Sequence, residues 1–153
     1  MHERFTSHAR MAMAMASVHA CRLRHDLVDT GHILLALIDE ESGLAQNCLA
    51  AAALRELGAD PARLRVSIER LLPPGAGTSG MSGIARGPGA RQAIDAAFDE
   101  ALTLDREYIG TEHLLLGILR QEGGVAARAL AEYGLALSEV REWVLRRIGQ
   151  GGE

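Results

Sequence analysis

The stretch YIGTEHLLLGILRQEGGVAARAL, Tyr108 to Leu130, repeats in paler form an earlier one, LVDTGHILLALIDEESGLAQNCL, Leu27 to Leu49. At an offset of 81 residues (Thr30 to Thr111) His32 also pairs with His113, Leu34 with Leu115, Gly43 with Gly124, Ala45 with Ala126 and Leu49 with Leu130. Farther on the offset is 76: Gly58 pairs with Gly134 and Arg65 with Arg141. Self-similarity at a fixed spacing marks a duplicated structural unit. The change of offset places five extra residues in the first repeat, near 50–54, where the sequence reads AAAAL.

Working outward from these blocks, each repeat reads as four helices, so the expected fold is all-α with two pseudo-symmetric four-helix units. The first helix spans about Thr6 to Arg24, with Ala9, Ala12, Met13, Ala16, Ala20 and Leu23 at the three- and four-residue spacings of one helical face. MAMAMA at Met11 to Ala16 alternates inside that pattern without making a strand, and Met11 and Met15 fall partly outside the apolar face. The counterpart, Pro88 to Asp105, opens on proline, whose missing N–H costs nothing at the first helical position. The second helix of each unit begins at Thr30 or Thr111, read as N-caps ahead of an apolar run. The third follows Gly43 or Gly124. The fourth opens at Asp60-Pro61 or near Ser138, and Gly58 and Gly134 precede it where a helix ends in a left-handed residue. Residues 1–72 form the first repeat, 73–87 a proline-, glycine- and serine-rich flexible connector, and 88–150 the second repeat, the two sharing one core. Leu34, Leu37, Leu49, Leu115, Ile118 and Leu130 are expected in it.

Composition narrows the chemistry. Of 153 residues 48% are hydrophobic and 24% charged, with a formal net charge of −4. The five aromatics (Phe5, Phe98, Tyr108, Tyr133, Trp143) are scattered, which leaves no basic track or stacking platform for nucleic acid. All 16 basic residues are arginine, so neither a phosphate-binding loop lysine nor a Schiff-base lysine exists. No run of apolar residues is long enough for a membrane span, and MHERFTSHAR is no secretory signal, which points to a cytoplasmic protein. Cys21 and Cys48 fall in apolar helical pattern and read as small buried hydrophobes.

Several motifs fail on context. Gly75, Gly77 and Gly80 fit GxGxxG, but they follow a helix and two prolines rather than a strand. The six histidines include no i, i+4 pair, so no metal site is expected, and His32 and His113 read as structural imidazoles at equivalent helix starts. No catalytic group and no cofactor emerge.

The paired blocks, together with RFTSHA at Arg4 to Ala9, resemble the N-terminal domain of the Clp unfoldases, most of all the ClpC type, over nearly the whole chain. The resemblance implies a non-enzymatic module that binds substrate proteins, peptides or adaptors for the Clp degradation system, without ATPase modules and acting in trans. The alternatives to this leading reading are an accessory subunit docking on the Clp protease or its ATPase ring, or the N-terminal piece of an ATP-dependent unfoldase. In the ClpC type this domain also recognises phosphorylated arginine. The resemblance places the guanidinium-binding acid at the glutamate of GTEH and a threonine near the start of each repeat, which here are Glu112, beside Thr111, and Thr6. The first repeat has Gly31 in place of the glutamate and Asp29 where the motif has glycine, and the second has Gly87 in place of the threonine. On sequence, neither repeat keeps both features, and glutamate at position 31 would rebuild a first-repeat site unless Asp29 obstructs it.

Overall fold

A computed structural model describes residues 4–77, 80 and 84–149, without the side chains of 148 and 149. The first repeat holds α1 (Ser7–Arg22), β1 (Leu27–Val28), α2 (Thr30–Leu37), α3 (Leu44–Asn47), α4 (Leu49–Glu56) and α5 (Pro61–Leu71). The second holds β2 (Ala85–Arg86), α6 (Pro88–Thr103), α7 (Thr111–Leu119), α8 (Val125–Ala131) and α9 (Leu137–Gly149). Expected punctuation appears where local chemistry sets it. Asp60 Oδ2 accepts from the Arg63 N–H at 3.0 Å to cap α5, Pro88 is the first residue of α6, and Gly58 and Gly134 have φ of 94° and 71°.

The helices α2 and α7 are the axis of the molecule. Every residue of α2 is buried, and in α7 every residue except Glu112, as expected of helices that are apolar all round. Within each repeat the long first helix covers the second, α1 on α2 and α6 on α7. The first repeat has one helix more than the four expected, the short α3, and beyond it the helices cross over: α4 packs on α7 of the other repeat, and its counterpart α8 packs on α2 and α5. Each repeat therefore completes its partner's core. Leu34, Leu37, Leu115, Ile118 and Leu130 are all buried, while Leu49, expected with them, is only half-buried because it opens α4 at a surface cleft.

The crossover revises two expectations. Thr30 and Thr111 are not N-caps; that position belongs to Asp29 and Gly110. Their hydroxyls serve the other repeat: Thr111 Oγ1 accepts from the Ala50 N–H at 3.2 Å, and Thr30 Oγ1 from the Ala126 N–H at 3.4 Å. A helix start leaves its first N–H groups without intrahelical acceptors, and each threonine supplies one across the repeat boundary. Ala50 is thereby equivalent to Ala126, so the extra residues lie ahead of α4, in the connection that contains α3, and not near 50–54. Replacing Thr111 with valine, which keeps the shape and removes the acceptor, is expected to cost about 1–2 kcal/mol in urea unfolding. A loss below a few tenths would show that the cross-repeat cap is dispensable.

Two short parallel contacts complete the symmetry. Leu27–Val28 pairs with Ala85–Arg86, and Phe5 forms a matching bridge with Ile109. Helical periodicity gives no sign of them, because they are two residues long or less and join segments distant in sequence. The connector is also less free than its composition suggests. The Gly77 N–H donates to the Arg24 carbonyl at 2.7 Å, and a Cβ at Gly75 would lie 1.9 Å from the Leu23 carbonyl oxygen, so residues 73–77 lie against 23–26. Gly75 and Gly77 thus serve close packing rather than a nucleotide loop. Residues 78, 79 and 81–83 of the connector lie outside the described residues. Cys48 is buried as expected, whereas Cys21 is half-buried on α1.

Candidate functional site

The Phe5–Ile109 bridge brings the start of α1 against the start of α7, and this assembles the site. The Thr6 N–H donates to the Ile109 carbonyl at 3.0 Å, and Thr6 caps α1 by accepting the Ala9 N–H at 3.1 Å. Thr6 thus stands in the same cleft as Thr111 and Glu112, although it comes from the other repeat. The equivalent contact, from the Gly87 N–H to the Val28 carbonyl at 2.8 Å, sets Gly87 beside Asp29. The threonine and the glutamate of one site therefore come from different repeats. Reading along each repeat separately predicted two half-sites; the fold makes one site with both residues and one with neither.

The complete cleft encloses about 740 Å³. Residues opening α1, α4 and α7 line it, so three helix N-termini present their positive dipole ends there. Glu112 lies in the first turn of α7 with its side chain 18% exposed. A Cβ at Gly110 would meet its Oε1 at 2.4 Å, so the glycine makes room for the folded-back carboxylate. Arg55 forms one wall and ties down α3 through the Ala45 carbonyl, and the exposed Tyr108 stands at the rim. All three residues picked out from sequence line the cleft, with the Thr6 hydroxyl engaged by the Ala9 N–H and the Thr111 hydroxyl by the Ala50 N–H.

Beneath Glu112 lies His113, which site reasoning from sequence passed over. Its Nδ1 accepts the Gly110 N–H at 2.9 Å, which leaves the proton of the neutral ring on Nε2. That Nε2 is buried and has no hydrogen-bond partner among the described residues; Glu112 Oε2 is 3.9 Å away. Burial holds the imidazole below its ordinary pKa, against the raising influence of Glu112. The same motif made His32 a structural cap: its Nδ1 accepts the Asp29 N–H at 2.9 Å, and its Nε2 meets His25 Nδ1 at 2.9 Å. Arg106 stands where the first repeat has His25, and an arginine offers no acceptor to His113.

The first-repeat counterpart is a smaller pocket of about 360 Å³, lined by Leu27, Asp29, His32, Leu72 and Gly87, without the glutamate or the threonine. Asp29 turns its own carboxylate onto the Thr30 N–H at 2.8 Å. A Cβ at Gly31 would meet Val125 Cγ1 at 3.0 Å and Leu72 Cδ2 at 3.1 Å. Glutamate at position 31 would press into that packing and bury its charge, so the obstruction is Val125 and Leu72 more than Asp29.

Residues 4–90 and 87–152 each match the family described as Clp repeat (R) N-terminal domain. The chain is 39% identical over 149 residues to the negative regulator of genetic competence ClpC/MecB of Bacillus subtilis (strain 168), covering 97% of this chain and 18% of that protein. It is 38% identical, over the same length and with the same coverage, to chaperone protein ClpB of Oceanobacillus iheyensis. The chain thus spans about 18% of the length of these relatives. Among solved structures, the N-terminal domain of the caseinolytic protease associated chaperone ClpD from Arabidopsis thaliana superimposes with a TM-score of 0.71 at 24% identity, over 97% of this chain and 99% of that one. The N-domain of ClpV from Vibrio cholerae gives 0.78 at 14% identity, over 97% and 85%. At these identities the likeness is one of fold. No helix among the described residues is long and apolar enough to cross a membrane.

Proposed function

This chain belongs to the Clp repeat N-terminal domain family, and from that premise we propose that it is a binding module rather than an enzyme, receiving adaptor proteins or substrate segments for a Clp ATPase. The meeting of Thr6 and Glu112 in one cleft carries the reading. Its ligand is a phosphoarginine-like group, which joins a guanidinium to a phosphoryl anion. The Glu112 carboxylate accepts the guanidinium in a charge-assisted, bidentate pair. The positive dipole ends of α1, α4 and α7 favour the phosphoryl oxygens.

Glu112 also complements the dipole of α7, a role worth about 0.3–1 kcal/mol that needs no ligand. Asp29 fills that role for α2 in the first repeat, which sharpens the contrast between the two sites. A hydrogen bond to a charged group contributes about 1.5–3 kcal/mol, so Glu112→Ala should weaken phosphoarginine binding about tenfold to over a hundredfold while the fold persists. Titration of phosphoarginine into wild type and variant, followed residue by residue through chemical shifts, measures this. Shifts confined to the neighbours of Thr6 and Glu112 are expected; equal shifts around Gly31 and Gly87, or none, would defeat the reading.

A further inference from the structure

The two repeats differ most on the outer face of their first helices. In the second repeat Glu100 of α6 is 4% exposed and takes two guanidinium groups: Arg141 Nε on Oε1 at 3.2 Å, and Arg120 Nη1 on Oε2 at 3.4 Å. Arg120 also reaches the Ala96 carbonyl at 3.5 Å, so the chain's own arginines close the space between α6, the end of α7 and the start of α9. In the first repeat the residue equivalent to Glu100 is His19, and the residue equivalent to Arg120 is Asp39. His19 Nε2 bonds Asp39 Oδ2 at 3.0 Å. Arg65, the counterpart of Arg141, pairs with Glu69 at 3.2 Å instead, and Arg22 pairs with Glu69 at 3.1 Å while donating to His19 Nδ1 at 3.1 Å. The equivalent space stands open.

What remains is a groove of about 390 Å³ between α1, the end of α2 and the start of α5. Its apolar surface is Met15, Val18, Leu35 and Ile38. Met15 and Val18 replace Ala96 and Asp99 of the second repeat, so apolar side chains stand where that repeat is small or charged. Met11, 42% exposed, and Val18, 40% exposed, flank the half-buried Met15 at helical spacing and extend the apolar surface along α1. One lip is acidic: Asp39, Glu40 and Glu41 follow the C-terminus of α2, where the helix dipole disfavours negative charge. The second repeat has Arg120 at this place, the favourable sign. The carboxylates of Glu40 and Glu41 are exposed and enter no ion pair among the described residues. Of the arginines on the opposite wall, Arg65 is already held by Glu69 and Arg22 by Glu69 and His19.

The unfilled groove, the apolar stripe and the unneutralised helix end call for the same occupant: a guanidinium or ammonium group on an apolar segment. We propose that this groove is a second protein-docking site, separate from the Glu112 cleft, which takes a partner segment carrying arginine or lysine beside aliphatic side chains. The basic group lies against Glu40 and Glu41, and the aliphatic ones lie over Met15 and Val18. The second repeat indicates the chemistry, since there the chain's own arginines fill the equivalent space. Flexible methionine thioethers suit a surface that accepts more than one apolar shape.

A short synthetic leucine–arginine peptide is the probe, with its leucine–glutamate counterpart as the contrast. Carbon-labelled methyl groups of Met11, Met15, Val18, Leu35 and Ile38 report where it sits. The basic peptide should shift these methyls, and Glu40→Arg combined with Glu41→Arg should weaken it about twofold to thirtyfold, the range of two solvent-exposed ion pairs. Val18→Asp, at an exposed position, should abolish the shifts, whereas Glu112→Ala should leave them unchanged. Equal binding of the acidic peptide, unaltered affinity after charge reversal, or shifts gathered around Glu112 would overturn the proposal. A concentration-dependent dimer in sedimentation, abolished by Val18→Asp, would assign the groove to a second copy of this chain and overturn it equally.

Discussion

Leu115→Ala is expected to lower the unfolding free energy by about 2–5 kcal/mol, a large part of the stability of an ordinary domain. Leu115 is fully buried in α7. That helix packs against α6 of its own repeat and α4 of the other, and touches α1, α2, α8 and α9 as well. A cavity opened there is bounded on several sides by helices that are themselves fixed, so the surroundings collapse poorly and the cost falls toward the upper part of the range. Leu49→Ala, at a half-buried position on the cleft wall, removes a similar side chain and should cost clearly less. Urea unfolding of the two variants beside wild type makes the comparison. A Leu115 loss no larger than the Leu49 loss would mean that α7 is not the centre of the fold.

Features set by local chemistry were legible in the sequence. The duplicated GTEH and DTGH blocks gave the two repeats, the three- and four-residue spacing of alanines gave α1, and Pro88, Asp60, Gly58 and Gly134 marked helix ends. Contacts between repeats left no local trace. Thr30 and Thr111 precede apolar runs as N-caps do, but the partner of each hydroxyl is a helix start more than sixty residues from Thr111 and more than ninety from Thr30. The extra residues were misplaced because alanine and leucine are so frequent here that Ala45 with Ala126, and Leu49 with Leu130, align by composition alone. Ala50 and Ala126 are the structural pair.

The binding site was half legible for the same reason. Glu112 stood out from its motif, and Thr6 from its own, but a scan along each repeat assigns Thr6 to Gly31 and Glu112 to Gly87. Only the bridge between Phe5 and Ile109 shows that Thr6 belongs with Glu112. The packing of Val125 against Gly31 likewise depends on α8 reaching the first repeat across the boundary, where the end of α5 brings Leu72 to the same spot. His32 and His113 both accept a backbone N–H through Nδ1, yet the difference between them, a satisfied Nε2 in one and an orphan in the other, depends on the loop residues His25 and Arg106 that precede each helix.

That histidine chemistry leads to the second large expected effect, a loss of stability in mild acid. His32 is 1% exposed, and burial, helped by the charges of His25, His19 and Arg22, brings its pKa down from 6.5 to about 4. The geometry agrees with the direction. Its Nδ1 is occupied as an acceptor by the Asp29 N–H, while Nε2 bonds His25, whose own Nε2 meets the Pro73 carbonyl at 2.8 Å. A second proton on His32 would have to break the Asp29 bond. His19 and His113 are lowered too, in each case chiefly by burial and against the pull of Asp39 or Glu112. Well above pH 6.5 neither the folded nor the unfolded chain protonates His32, and its full stabilising contribution is present. As the pH falls below 6.5 the unfolded chain takes up the proton and the folded chain refuses it until about pH 4, so the contribution is lost across that window. His32 alone should account for about 2 kcal/mol by pH 5 and about 3 kcal/mol below pH 4, with His19 and His113 adding in the same direction. The carboxylate Glu69, which Arg22 and Arg65 hold below 4.5 against its burial, enters only at the acid end, so the upper part of the window isolates the histidines. Urea midpoints between pH 7.5 and 5 read the effect. His32→Asn, which can still accept the Asp29 N–H but does not titrate, should be less stable at pH 7.5 and lose less on acidification. A wild-type midpoint that stays level from pH 6.5 to 5 would show that His32 takes up its proton as readily in the folded chain as in the unfolded one.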